Sequence, residues 1–257
     1  THRMLPRARD LNRCFFPPFD DEQGHLAEEI LTLLRLHRPE AVVDMHNTSG
    51  RGPHFAVVAF DDPRHDAIAA LFSHRLVVCS LGLGALMETS DEMCPVVTVE
   101  VGGREDPGSD AVALAGLQRF ARARAIRPRP DVVPPRLDKL HAPLRLELCG
   151  GVTLTYAGAP RRGYDVTLNP AIEHHNFGTV GEDTPLGWAR ADPLQLFRAR
   201  DASGLCAVRQ LVRVADGVLY PAQSLILFMI TTHAGIAESD CLLYAVTADG
   251  TPVRGGA

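Results

Sequence analysis

The sequence predicts an α/β protein. It reads as a mixed sheet flanked by helices over residues 1–125, a proline-rich linker over 126–140 and a smaller β-rich C-terminal domain over 141–257. Three observations carry this prediction. Short β-branched runs alternate with helical patterns in the first half. The stretch Ile126 to Pro135 carries four prolines in ten residues and cannot continue a helix. Beyond it, strand-like runs follow one another between Gly, Asp and Pro, with little helical periodicity.

Each element has its own local reason. Ala41 to Met45, Phe55 to Phe60, Leu76 to Cys79 and Val96 to Val101 are short apolar runs typical of buried strands. A helix from about Asp21 to His37 places Leu26, Ala27, Ile30, Leu33 and Leu34 on one face. A second helix follows Pro63, and a third, Ser109 to Ala125, carries Ala113, Leu114, Leu117 and Phe120. In the second half Leu144 to Leu148, Val152 to Tyr156, Cys206 to Val212, Val218 to Tyr220, Leu225 to Met229 and Leu242 to Val246 read as strands.

Composition narrows the function classes. The chain has 257 residues, 46% hydrophobic and 22% charged, the profile of an ordinary globular protein with material for a real core. A formal charge of −5 argues against nucleic acid as the main partner. No apolar run reaches membrane-spanning length, Ser224 to Ile230 being only strand-sized, and the opening residues carry no secretory signal pattern. The six cysteines are scattered without C-x-x-C spacing, which predicts buried thiols in a reducing compartment and a cytoplasmic location.

Candidate chemistry gathers in three segments. In Val42-Val43-Asp44-Met45-His46-Asn47-Thr48-Ser49-Gly50 an apolar strand ends in His46 and breaks into a polar loop. Histidine at a strand's carboxyl end is well placed to hold a metal, although a lone histidine is more often a satisfied polar residue. Asp44, two residues back, points to the same side and can orient the imidazole, or it can bond loop amides. Glu100 interrupts an otherwise apolar strand just before Gly102-Gly103. A carboxylate there is costly unless it is paired or functional. It suits a proton carrier between water and a leaving amine, against a structural salt bridge to an arginine. Asn12 and Arg13 offer an amide beside a guanidinium that can read a carboxylate. Arg3, Arg7 and Arg9 read mostly as solvated.

Taken in order, Asp10-Leu11-Asn12-Arg13-Cys14-Phe15-Phe16-Pro17, Asp44-Met45-His46-Asn47-Thr48 and Val99-Glu100-Val101-Gly102-Gly103 resemble the succinylglutamate desuccinylase/aspartoacylase family of zinc carboxypeptidase-like hydrolases. The likeness covers most of residues 1–125. The segment Asp165 to Trp188 resembles strands of the family's β-rich domain. The resemblance implies His46 as the third zinc ligand, Asp44 as the group that orients it, and Glu100 as general base. Asn12, Arg13 and Asn47 would bind substrate. It also implies one Zn2+ per chain in the complete protein, and hydrolysis of a small N-acyl amino acid or N-acyl diamine. The partner is then a small molecule, not nucleic acid or membrane, and a homo-oligomer is compatible with it.

The sequence departs from that family in two places. The family's first two zinc ligands lie in an H-x-x-E motif several tens of residues before Asp-Leu-Asn-Arg. These 257 residues open nine before Asp10, so two ligands are not among them and the chain as given is open to being inactive. His25-Leu26-Ala27-Glu28 has the spacing but falls on the solvated face of the first helix. Glu173-His174-His175 reads as a polar loop or strand start with at most one histidine facing a cleft, and His233 carries no functional claim. Aspartoacylase-type enzymes also place an acidic residue and a tyrosine after Tyr-Pro, where Tyr220-Pro221 leads into Ala222-Gln223-Ser224. They carry an arginine upstream of the catalytic glutamate, where this chain has Glu88 to Glu92. N-acetylaspartate is therefore a poor guess. Two rival readings stay open: a metal-free binding or regulatory protein of the same fold, and a zinc carboxypeptidase acting on peptides.

Overall fold

The computed structural model describes residues 8–80, 82–91, 94–103, 105–123, 136–251 and 255. Most of the linker expected over 126–140 lies outside these residues, as do Arg3 and Arg7. The chain divides into two compact units. One comprises Thr1–His46, His54–Val101 and Asp110–Lys139; the other comprises Asn47–Pro53, Gly102–Ser109 and Leu140–Ala257.

The first unit is built on a sheet of β1 (Val42–Thr48), β2 (Phe55–Val58), β3 (Arg75–Val78), β4 (Val96–Gly103) and β5 (Asp138–His141), in the order β1-β4-β2-β3-β5. Strand β2 runs parallel to β3 and antiparallel to β4, so the sheet is mixed. Three contacts define how β1 meets β4: Val42 N donates to Pro95 O, Thr98 Oγ1 to Asp44 and Asn47 Nδ2 to Gly102 O. They advance along both strands in the same sense, which makes this pair parallel. Strand β1 continues two residues past His46 rather than breaking there. Asn47 reaches the β4 backbone and Thr48 Oγ1 bonds Gly50 O at 2.8 Å, which keeps the chain extended.

Period-two alternation sorts the side chains of these strands. Val97, Val99 and Val101, with Val43 and Met45, pack with Ile68, Ala69 and Phe72 on one face. Val42 and Val96 belong to the cluster on the other, with Cys14, Phe15, Ala27 and Leu31. Asp44, His46, Thr98 and Glu100 share the parity of Val42 and Val96, so all four face that second side.

Helix α1 (Glu22–His37) starts where Asp21 accepts from Gly24 N at 2.8 Å. Arg9 is not simply solvated; it grips Asp21 through Nε at 2.5 Å and Nη2 at 2.7 Å, and this bond draws the Asp21 carboxyl down to about 2. The buried face of α1 is Ala27 and Leu31, with Ile30 and Leu34 beside it, whereas Leu26 and Leu33 are exposed. The leucine stripe of the sequence is wider than the surface available to cover it. Helix α2 (Pro63–Ala69) is capped by Asp62 and has Pro63 in its first turn. Helix α3 (Ser109–Arg122) turns Val112, Ala113 and Phe120 inward and leaves Leu114 and Leu117 exposed. Its contact centres on Gly116, where a Cβ would stand 2.1 Å from Phe72 Cδ1, so the ring occupies the space a side chain would need.

A buried polar chain ties α2 to the segment entering β4. His65 Nδ1 lies 2.8 Å from Asp62 Oδ2, His65 Nε2 lies 2.8 Å from Ser90 Oγ, and Val96 N donates to that oxygen at 3.0 Å. The proton order follows: Ser90 donates to His65, and His65 donates to Asp62. This is the order of a hydrolytic triad, yet His65 is 0% and Ser90 6% exposed, so the chain acts as a clamp. Ser90→Ala strands the Val96 N–H and the His65 ring nitrogen. It is expected to remove about 2 kcal/mol and to lower the melting temperature by roughly 4–8 °C in a calorimetric scan.

The second unit holds two five-stranded sheets. Its strands are β6 (Leu144–Leu148), β7 (Leu154–Tyr156), β8 (Val166–Leu168), β9 (Gly178–Val180), β10 (Gly187–Ala189), β11 (Phe197–Arg198), β12 (Val212–Ala215), β13 (Val218–Pro221), β14 (Leu225–Phe228) and β15 (Leu243–Thr247). The sheet orders are β12-β13-β10-β8-β7 and β11-β6-β15-β14-β9. Pairing is antiparallel except between β7 and β8. Leu144, Leu146, Leu168, Leu219, Leu225 and Leu243 join one core. The expected strand over Cys206 to Val212 is instead a helical turn, Val208–Leu211, followed by β12. Val208 and Leu211 stand three apart and are both buried, a spacing that a strand would split between two faces. The short strands β5 and β11 were not expected from sequence, because runs of two to four residues carry too little periodicity.

The six cysteines form no disulfide among the described residues; Cys14, Cys79 and Cys241 are buried, and burial pushes the Cys79 thiol up to about 12. Among the described residues no helix is long and apolar enough to cross a membrane.

Candidate functional site

The site begins with a single turn. Asp10 opens a 3₁₀ turn over Leu11–Arg13, its side chain accepting from Asn12 N at 3.0 Å and its carbonyl from Arg13 N at 2.9 Å. This local capping is why Asp-Leu-Asn-Arg folds tightly and projects Asn12 and Arg13. Asn12 Oδ1 accepts from Leu86 N at 2.8 Å, while Nδ2 lies 3.4 Å from Asp44 Oδ2 and 3.4 Å from His46 Nε2. Arg13 Nη1 donates to Asn12 O at 2.7 Å. The loop that presents Leu86 is held by Glu88, whose carboxylate accepts from Leu83 N, Gly84 N and Ala85 N. Glu88, which stands in the region of the family's arginine, is therefore engaged with its own backbone.

On β1, Asp44 Oδ1 stands 2.8 Å from His46 Nε2, joining the two side chains along the strand face. Thr98 Oγ1 reaches Asp44 Oδ2 at 3.4 Å from β4. Glu100, two residues beyond Thr98, is 8% exposed and pairs in register with the buried Phe55 of β2. Asn12, Asp44 and His46 thus form one polar network, and Glu100 lies on the adjoining strand with the same facing.

In the second unit, the loops that follow β1 and β4 are tied together. Asp106 Oδ2 accepts from Gly103 N at 2.7 Å and from Gly52 N at 3.3 Å, and Ser109 Oγ donates to Gly103 O at 2.8 Å. Asn176 Nδ2 donates to Arg51 O at 2.6 Å and Ile230 O at 3.3 Å, while Asn176 Oδ1 accepts from Ile230 N at 2.9 Å. The Asn47 side chain bonds Gly102 O at 3.3 Å.

Sequence reasoning missed Thr98, the Leu86 amide, Asp106 and Asn176. Thr98 was readable, as a polar residue sharing Glu100's parity in an apolar strand. Asn176 was not, since its partners lie 54 and 125 residues away. His25 and Glu28 are exposed on α1. Glu173, His174 and His175 belong to a 3₁₀ turn, Pro170–His175. Glu173 is engaged with Thr232 Oγ1 at 3.4 Å, and burial pushes the His175 imidazole below its usual range. Tyr220 lies in β13 under the Arg213 guanidinium, 4.6 Å from its ring centre.

The donors available fall short of a zinc site. Among the described residues no group of three His, Cys, Asp or Glu side chains could hold a metal ion. His46 brings one nitrogen, where a catalytic zinc takes three protein ligands.

No family model matches the chain, and no curated protein matches it by sequence. Solved structures do. The succinylglutamate desuccinylase/aspartoacylase from Rhodobacter sphaeroides superposes with a TM-score of 0.53 at 16% identity, covering 95% of this chain and 70% of that one. Murine aminoacylase 3 gives 0.52 at 16% identity, over 93% and 77% of the two chains. The product-bound ectoine utilization protein EutE (DoeB) from Ruegeria pomeroyi gives 0.52 at 17%, over 93% and 68%. At these identities the likeness is one of fold: the chain is a mixed α/β protein with the architecture of the desuccinylase/aspartoacylase structures.

Proposed function

We propose that this chain, which shares the fold of the succinylglutamate desuccinylase/aspartoacylase structures, is a member of that family that hydrolyses the amide of a small N-acyl amino acid or N-acyl diamine. The observation that carries the reading is the network of Asn12, Asp44 and His46 with Glu100 on the neighbouring parallel strand. A binding protein needs no buried carboxylate beside such a network; a hydrolase does.

Glu100 is the general base in this reading. Buried beside Phe55, it takes a proton from the attacking water on a carboxylate oxygen and returns it to the leaving nitrogen, so that an amine and not an amide anion departs. Arg13 receives the substrate carboxylate. Asn12, beside Arg13 in the same turn, joins it in binding that substrate, and its carboxamide nitrogen also faces Asp44 and His46, 3.4 Å from each. Asn47, whose side chain bonds Gly102 O, is kept as a substrate-binding residue on the family resemblance alone. His46 is the ligand this chain would bring to zinc, which supplies Lewis-acid chemistry in this family; the partner ligands would be an H-x-x-E pair outside these 257 residues. The six thiols suit a cytoplasmic setting, and residues 1–125 would be the catalytic part and 141–257 a β-rich domain.

The test is a panel of N-acetyl and N-succinyl amino acids and diamines, offered to protein expressed from its own gene, with released amine and bound metal measured together. Amine release with about one zinc per chain is expected. Tight binding of an N-acyl amino acid with neither zinc nor release would replace this reading with that of a binding protein.

A further inference from the structure

We infer that Glu88 is a positioning residue for substrate binding: its carboxylate shapes the loop that buttresses the Asn12–Arg13 turn. Where it concerns substrate affinity, this role rests on the reaction proposed above; the hydrogen bonds behind it do not.

Three consecutive backbone amides converge on this one side chain. Glu88 Oε1 accepts from Leu83 N at 3.1 Å, and Oε2 accepts from Gly84 N at 2.7 Å and Ala85 N at 3.1 Å. A carboxylate only accepts and has lone pairs for all three, and its charge strengthens each bond. Glu88 itself stands in the 3₁₀ turn Leu86–Thr89. Capping that turn needs only the amides at its start. Taking Leu83 and Gly84 as well curls the chain that leads into it. The next amide in the run, Leu86 N–H, is thereby turned onto Asn12 Oδ1 at 2.8 Å.

The curled loop meets the Asn12–Arg13 turn at two further points. Phe15 N donates to Gly84 O at 3.0 Å. Gly84 has a φ of +79°, and a Cβ there would stand 2.7 Å from Arg13 O and 3.0 Å from Arg13 C, so its bare Cα lies against the Arg13 backbone. The turn closes locally through Arg13 N to Asp10 O and Cys14 N to Leu11 O, but those bonds do not fix where it sits. Ala85, Leu86 and Met87 share an apolar cluster with Cys14 and Phe15, which keeps loop and turn together. Apolar contact is non-directional and aims no amide. Aim is what Glu88 supplies. Losing it releases the Asn12 carboxamide, whose nitrogen lies 3.4 Å from Asp44 Oδ2 and 3.4 Å from His46 Nε2. It also loosens Arg13, the residue that receives the substrate carboxylate in the proposed reaction.

The test uses Glu88→Gln, in which an NH2 group replaces one oxygen and meets a backbone N–H donor to donor. Amide hydrogen exchange comes first, because it needs no substrate. The Leu86 and Phe15 amides, which bond across the contact between loop and turn, are expected to exchange about tenfold faster. The Arg13 and Cys14 amides, bonded within the turn, are expected to keep their wild-type rates. With an N-acyl amino acid as substrate, KM is expected to rise about tenfold while kcat stays within about twofold. Should Glu88→Gln fail to fold, Glu88→Asp, which draws the carboxylate back by one methylene, is expected to move both readouts in the same direction. Leu86 and Phe15 rates unmoved in a folded variant overturn the inference, as does an unmoved KM where the wild type turns over. A general quickening of amides with KM in place, the mark of a purely structural Glu88, overturns it too. A wild-type protein that releases no amine overturns the proposed reaction instead, and the exchange rates still decide whether Glu88 holds the turn.

Discussion

Glu100→Gln is expected to lower kcat for an N-acyl amino acid substrate by about 10²- to 10⁴-fold with little change in KM. Glutamine has the shape of glutamate but cannot take the proton of the attacking water or return it to the leaving amine. The location sharpens the expectation. Glu100 is 8% exposed with the buried Phe55 opposite it, where bulk buffer has poor access. The fold should persist, because an uncharged group suits this environment at least as well as a charged one. Steady-state kinetics and a thermal melt of the same preparation decide the matter. Wild-type turnover by a folded Glu100→Gln protein would remove Glu100 from the mechanism.

Gly50→Ala is expected to destabilise the second unit strongly. A Cβ there would stand 2.0 Å from Ile230 O, 3.0 Å from Ile230 C and 3.1 Å from Thr231 Cα, and all three are backbone atoms. The backbone has little freedom to yield, since Asn176 bonds both the N–H and the carbonyl of Ile230 and also holds Arg51 O. Overpacking against a pinned backbone costs about 3 kcal/mol or more. Urea denaturation checks this directly. Hydrogen exchange adds a local readout, as the amides of residues 50–52 should exchange faster in the variant. A loss below about 0.5 kcal/mol, the range of an ordinary surface change, would show that the loop is not pinned as described.

These two predictions differ in how far the sequence foresaw them. Glu100 stood out because a carboxylate in a valine strand demands an explanation. Gly50 read only as the end of a polar loop; nothing within ten residues on either side announces Ile230. The same contrast runs through the fold. Asp21 and Asp62 were legible as helix caps, since a cap acts on amides two or three residues away. The buried faces of α1 and α3 were legible only in part. A helix displays every apolar side chain it carries, and its partner decides which are covered. On α3 the decision rests with Phe72, whose ring needs the absent side chain of Gly116.

What the sequence determined by itself was therefore local and periodic. Strand alternation put Asp44 with His46, and Thr98 with Glu100, on single faces, and the Asp10 turn fixed how Asn12 and Arg13 emerge. What only the tertiary structure decided was which of these faces meet. Strand β4 pairs with β1 and β2 rather than with its sequence neighbour β3, and the Leu86 amide settles which end of Asn12 faces Asp44. The physical reason is range: dihedral preference and capping act within a turn or a strand, whereas strand order and long-range hydrogen bonds depend on how the whole core packs.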